Sequence, residues 1–271
     1  MPGRRPVRTA LGAALTALAL AAGATACGGD DSATVQGAHL VKKGALTTCT
    51  HLPYPPFQSE QGGKVVGFDV DLIDLVAKKL GVTQKIVDTP FETIKTGSAL
   101  NAGKCDLAAA GMTIKPDRAR FLTFSTPYFT ATQALMGKKG QRYGTLAEVK
   151  DAGVKVGSQA STTGEEYARS QKLDTVSFKD SASLLNGLRT GRVNVIIEDY
   201  PVIQGWLKDP ANAAYGLDGN YDTGEKYGFA VRKDQNPGLV KIIDQVIATA
   251  RADGSYRRIY EKWIGPMPAG S

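Results

Sequence analysis

Apolar residues in this chain come in short continuous runs and in stretches with helical spacing, and the two take turns along the sequence. Residues 46–50 read as a strand. The loop after it, His51-Leu52-Pro53-Tyr54-Pro55-Pro56-Phe57, holds three prolines, which exclude helix and ladder alike. Stiffened in this way, it presents Tyr54 to a ligand and Phe57 to the core at low entropic cost. Val70, Leu72, Ile73, Leu75 and Val76 then recur along a helix that ends at Leu80-Gly81. A strand over 82–87, a helix over 93–102 and a buried strand running to Gly111 complete a βαβαβ order. Such alternation predicts a mostly parallel sheet with right-handed crossovers.

Leu100-Asn101-Ala102-Gly103-Lys104-Cys105-Asp106 is echoed by Leu188-Arg189-Thr190-Gly191-Arg192-Val193-Asn194, each at a helix end before an apolar strand. Two occurrences are too few for a solenoid and fit two similar α/β lobes facing each other. A strand over 130–136 leaves the first lobe. The second holds a strand over 154–157, a hydroxyl-rich helix start at 161–166 and an apolar strand ending in Glu198-Asp199.

Candidate chemistry sits at the strand tips, where open α/β sheets bind ligands. Gly111-Met112-Thr113-Ile114-Lys115-Pro116-Asp117-Arg118 reads as strand end, turn and helix start, with Pro116 at the first helical position. Arg118 falls in the first turn, where backbone amides already make the end positive. A guanidinium there is unfavourable by roughly a few tenths of a kcal/mol unless an anion joins it. A bound carboxylate, helped by the hydroxyl and amide of Thr113, accounts for this, and so does surface pairing with Asp117 or Glu165. Thr162-Thr163 open either a second anion-friendly helix or a plain capping box. Glu198 and Asp199 need a cation or a set of donors if buried, and neither if solvated. Arg118 with Thr113 for an anion and Asp199 for a cation together describe a zwitterion, an α-amino acid.

Composition narrows the class. A chain of 271 residues, 42% hydrophobic and 22% charged, has room for one large or two smaller domains. Arg4, Arg5 and Arg8 precede an apolar run over 10–22 that closes on Gly23-Ala24-Thr25-Ala26-Cys27. That is the layout of a secretory signal, so 1–26 reads as a signal peptide and the chain as extracytoplasmic. The run is too short to span a bilayer comfortably. Without the three signal arginines, 30 basic side chains stand against 26 acidic, a scattered excess that makes no case for nucleic acid. Residues 28–37 have no apolar periodicity and read as a polar tether. His39, His51 and the cysteines lack ligand spacing, so neither metal nor cofactor is expected. In an oxidising compartment Cys49 and Cys105 invite a disulfide. If their strands are level parallel neighbours, however, the two lie several residues out of register at about 3.3 Å each, and the bond is left open.

In order and spacing these pieces resemble the extracellular solute-binding proteins of family 3, the amino-acid receptors of ABC importers. The carrying motifs are Tyr54-Pro55-Pro56-Phe57, Gly67-Phe68-Asp69-Val70-Asp71-Leu72, the segment from Gly111 to Arg118, Phe124-Ser125-Thr126-Pro127-Tyr128, Gly191-Arg192-Val193-Asn194, Glu198-Asp199 and the run from Gly254 to Trp263. The resemblance implies a two-lobed, periplasmic-binding-protein-like type II fold: lobe 1 over 41–130, lobe 2 over 131–225, and a return to lobe 1 over 226–271. The crossing segments would lie at 128–133 and 223–227. It implies that Arg118, Thr113, Thr162 and Thr163 hold a carboxylate, that Asp199 and the carbonyl of Gly111 hold an ammonium, and that Tyr54 and Phe91 sandwich the side chain. The lobes would close on the ligand by a hinge, as in other two-lobed binding proteins.

The implied partners are an ABC permease and its ATPase, with the receptor a monomer. Cys27 resembles the acylated cysteine of bacterial lipoproteins, with Ala24 in place of the usual leucine or valine. This implies a palmitate-type anchor on the outer face of the cytoplasmic membrane and a tether over 27–40; the other reading is a soluble secreted protein. The sequence departs from the family at Lys115, often threonine, at Ser161, often glycine, and at His51, often acidic. With His51, Gln159 and Glu198 around the side chain, polar ligands such as glutamine or glutamate lead over strongly basic ones. A periplasmic-type dehydratase on the same fold is the rival reading, although no nucleophile with a base beside it is evident.

Overall fold

The predicted parallel strands form one side of each of two five-stranded sheets in a computed structural model that describes residues 32–141 and 143–268. The first sheet runs in the order Thr83–Asp88, Ala45–Thr50, Leu107–Ala108, Ala230–Arg232, Leu122–Phe124. Ala45–Thr50 is parallel to both its neighbours, whereas Ala230–Arg232 returns late in the chain and inserts antiparallel. The second sheet runs Thr175–Phe178, Val156–Gln159, Val195–Asp199, Phe129–Lys138, Tyr215–Tyr227. Again the three strands joined by helices are parallel, and the two long strands from the crossing segments are antiparallel. Each sheet is therefore mixed.

The helix Phe68–Leu80 explains how the proline loop is held. Gly67, at φ 148°, lets the backbone pass so close to the loop that a Cβ there would lie 2.1 Å from the carbonyl oxygen of Phe57. The first helical amides, of Phe68 and Asp69, donate to the carbonyls of Pro56 and Phe57 at 2.9 and 3.1 Å. Phe68, Leu72, Ile73, Val76 and Leu80 are buried on one side, each large aliphatic contributing about 2 kcal/mol by burial. Gly81, left-handed at φ 72°, ends the helix. The returning helices Pro237–Ala252 and Ser255–Trp263 pack beside it, and Lys262 Nζ and Trp263 Nε1 both donate to Asp71 Oδ2 at 2.7 Å.

Beneath the crossing segments lies an aromatic cluster. Phe57 meets Phe129 and Tyr227 edge-on at 5.1 and 5.2 Å, and Tyr128 stacks on Phe229 at 4.0 Å. Phe57 is thus a core residue, and the crossing strands are anchored where they leave lobe 1.

Two expectations change, and a third question, left open by the sequence, is answered. The helix over 93–102 is two short helices, Phe91–Lys95 and Ser98–Asn101, because Gly97 between them is left-handed at φ 72°. The tether does not extend to residue 40: Ala33–Val35 pairs with Ala38–Leu40, and Ala38 and Leu40 are fully buried. Two apolar residues one position apart were too short a signal to read as periodicity. Third, Cys49 and Cys105 form a disulfide with Cα atoms 5.6 Å apart. Cys105 precedes the strand Leu107–Ala108, where the chain turns after Gly103 (φ 68°), so strand register does not govern it. The signal segment and Cys27 lie outside the described residues. Among the described residues no helix is long and apolar enough to cross a membrane.

Candidate ligand-binding site

Tips of both sheets meet at a cavity of about 20 Å³. From the first sheet come His51, Tyr54, Phe91, Gly111, Thr113 and Arg118; from the second come Gln159, Thr162, Thr163 and Asp199. Of the predicted residues only Glu198 stands off the lining, one position behind Asp199. Gln58, which sequence reasoning did not single out, joins the wall.

Arg118 is 3% exposed, so the surface pairing with Asp117 or Glu165 does not occur. Glu165 is engaged by Arg169 and Ser177. The guanidinium lies over the Phe91 ring at 5.4 Å, and its Nη1 donates to the Thr113 carbonyl at 2.9 Å. Its Nε is buried with no partner. Burial pulls the group below its ordinary pKa, opposed first by the charge of Glu166. An anion entering the cavity would give the orphaned donor an acceptor and add a direct counter-charge.

Asp199 faces neutral donors. Tyr54 Oη donates to its Oδ2 at 2.6 Å, Tyr227 Oη to the same oxygen, and Gln133 Nε2 to Oδ1. Tyr54 also donates to Glu198 Oε1 at 3.0 Å. Burial pushes both carboxyls well above the carboxylate range; the charge of Asp199 adds to this at Glu198, and that of Glu225 at Asp199. The phenols of Tyr54 and Tyr227 are also pushed up by burial, so they remain O–H donors. The side chains that bond to Asp199 are thus all neutral, in a desolvated site.

The two threonines behave differently from expectation. Thr113 Oγ1 and Thr163 Oγ1 donate to Oε2 of a buried carboxylate, Glu225, at 2.8 and 2.9 Å. Its Oε1 accepts from Gln133 and Thr223. A hydroxyl hydrogen given to Glu225 is not available to a ligand anion. What remains there is backbone: Ile114 N and Gly228 N carry the bridge between Thr113 and Tyr227, leaving the Thr113 amide unspent. The first amides of the helix Thr163–Ser170 have no intrahelical acceptor. Thr162 caps that helix, accepting from Glu165 N and donating to the Gln159 carbonyl.

Gly111 is left-handed at φ 54°, and its amide donates to Asp69 at 2.9 Å. A Cβ there would approach Tyr54 Cε1 to 2.8 Å, so only glycine leaves room for that ring. The departures from the family pattern find local uses. Ser161 is left-handed at φ 68°, where glycine is easier, and its hydroxyl lowers the pKa of Glu92 across the cleft. Lys115 pairs with Glu166 across the same cleft.

Gln133, Tyr227 and Glu225 were read only as parts of the crossing segments. A signal was present for Gln133, a buried polar residue within the apolar strand Phe129–Lys138. Glu225 had none, since it stands in an otherwise polar stretch.

Residues 46–266 match the family model for bacterial extracellular solute-binding proteins, family 3. The chain belongs to that family. Among similar proteins, the ABC transporter arginine-binding protein 1 of Escherichia coli (strain K12) is 30% identical over 219 residues, 78% of this chain and 87% of its own length. An ancestral arginine-binding protein solved bound to arginine is 37% identical across 82% of this chain and 99% of its own, with a TM-score of 0.75. An ancestral amino acid-binding protein described as a precursor of cyclohexadienyl dehydratase is 33% identical across 82% of this chain and 96% of its own, also with a TM-score of 0.75. These relatives are amino-acid-binding proteins, the first of them of an ABC transporter, and this chain shares their family and their two-lobed α/β fold.

Proposed function

We propose that this receptor clamps the zwitterion of a polar amino acid between its lobes and delivers it to an ABC permease and ATPase. Arg118 and the amides of Thr113 and Thr163 would hold the carboxylate. Asp199 and the carbonyl of Gly111 would take the ammonium, with Tyr54 and Phe91 against the side chain. The observation that carries this reading is the pairing within one cavity of an orphaned guanidinium nitrogen and a buried carboxyl that meets only neutral donors. A cavity of about 20 Å³ cannot take an amino acid, so the lobes must part for entry. On reclosure, the ligand stabilises the shut form by the contacts it gains there.

The decisive experiment is calorimetry on Arg118→Ala. Losing a charge-assisted pair in a closed site should weaken amino-acid binding by at least about a hundredfold while the circular-dichroism spectrum is kept. Binding within about threefold of wild type would sink the assignment. We read the chain as a non-enzyme. Buried Glu198 and Asp199, both held toward their neutral forms, are groups that would suit a general acid for a dehydratase, and mass spectrometry of the ligand after incubation tests this. The anchor at Cys27 predicts membrane retention lost in Cys27→Ala, more than one acyl chain being needed for stable attachment.

A further inference from the structure

We propose that the side-chain end of the cavity reads N–H donors rather than charge. It would accept amino acids whose side chains end in a carboxamide, ureido or guanidinium group and reject those ending in a carboxylate. The inference rests on the amino-acid-receptor reading above.

Besides Arg118, three lining residues each bury one polar atom with no partner: His51 Nε2, Gln58 Oε1 and Gln159 Oε1. All three are acceptors. His51 Nδ1 lies 3.1 Å from the Thr89 carbonyl, which can only accept, so Nδ1 carries the hydrogen, and in that tautomer Nε2 presents a lone pair. Gln58 Nε2 donates to the His51 carbonyl, which turns its Oε1 the other way. Gln58 and Gln159 are 1% and 3% exposed, so water does not readily serve these oxygens.

His51 and Gln58 belong to the first lobe and Gln159 to the second, so closure completes the set. A side chain that brings N–H groups satisfies all three acceptors. One that brings a carboxylate leaves those three lone pairs unpaired and faces them with its own, and the only cation on the lining, Arg118, is taken by the ligand's own carboxylate. A site built around hydrogen bonds to a group rejects the analogue that lacks them because its buried atoms are then left unpaired. The acceptors carry no formal charge, so a guanidinium gains from its N–H groups and little from its charge. Asp180, behind His51, is off the lining and caps its own helix through Ser183 N.

The test is calorimetric titration of the full chain with glutamine, glutamate, citrulline, arginine and norvaline. Glutamine is expected to bind at least about thirtyfold tighter than glutamate, and citrulline and arginine to fall within about tenfold of each other, both ahead of norvaline. Glutamate within about threefold of glutamine would overturn the inference, as would arginine more than about a hundredfold ahead of citrulline, since charge would then be what is read. In Gln58→Leu and in Gln159→Leu the citrulline-to-norvaline affinity ratio should fall at least about threefold; an unchanged ratio in both also overturns it. If none of the five binds, the receptor reading itself fails. If norvaline binds but the order is wrong, only the side-chain inference does.

Discussion

Asp199 receives three hydrogen bonds, all from neutral donors, and this governs how it should respond to change. Asp199→Asn keeps the size but removes the charge an ammonium would meet, so α-amino acids should weaken by at least about tenfold. The corresponding deaminated acids, which bring no cation, should weaken far less. Equal losses for both in parallel titrations would exclude an ammonium role. Proton uptake gives a second test. Burial raises the Asp199 carboxyl in the ligand-free protein, and an arriving ammonium favours the ionised form. The complex then holds fewer protons than the free protein, so affinity should rise with pH above the ordinary carboxylate range. It should level off once the free form has ionised, with a slope of at most about tenfold per pH unit for one proton. Calorimetry in two buffers of different protonation enthalpy reads the released proton, and none released at mildly acidic pH would show Asp199 already ionised.

Among the elements, the crossing strands carry the largest untested weight. Glu225, on the second of them, receives Thr113 from one lobe and Thr163 and Gln133 from the other, so it fastens the closed form. In Glu225→Gln one hydroxyl must lose its acceptor, and closure should weaken by about 1–3 kcal/mol, read as lower ligand affinity and as a larger radius in small-angle scattering. Gly67→Ala should be worse for the fold as a whole. Its Cβ meets the Phe57 carbonyl, whose backbone cannot yield, and a loss of more than about 3 kcal/mol in chemical denaturation is expected.

The sequence announced elements in proportion to how local their causes are. Helix Phe68–Leu80 showed its apolar side and its Gly81 stop, and Pro116 announced the turn that seats Arg118. Glu225 was silent because its role depends on three donors between 62 and 112 residues away. Gln58 was overshadowed by the aromatic residue beside it, and the disulfide was hidden by a turn that strand counting could not see.

At the scale of the molecule, one lobe is stapled and the other is not. The Cys49–Cys105 bond joins residues 56 apart within the first lobe. By loop-closure entropy, removing it should lower stability by about 4 kcal/mol. Because the second lobe has no such bond among its described residues, reductant should lower the melting of the first lobe selectively and split a single thermal transition into two. A single transition that shifts as a unit would mean that the crossing strands couple the lobes more strongly than the bond holds either.

Those crossing strands also divide the labour of the site. Gln133, Glu225 and Tyr227, which steady the closed form and the Asp199 carboxyl, sit on the hinge, while His51, Gln58 and Gln159 project from the tips of the two sheets. Parts that bend and parts that select are therefore separate stretches of chain. On the proposed reading, substitutions at the tips would change the cargo without touching the residues that bend, so a change of diet need not disturb the machinery of closure.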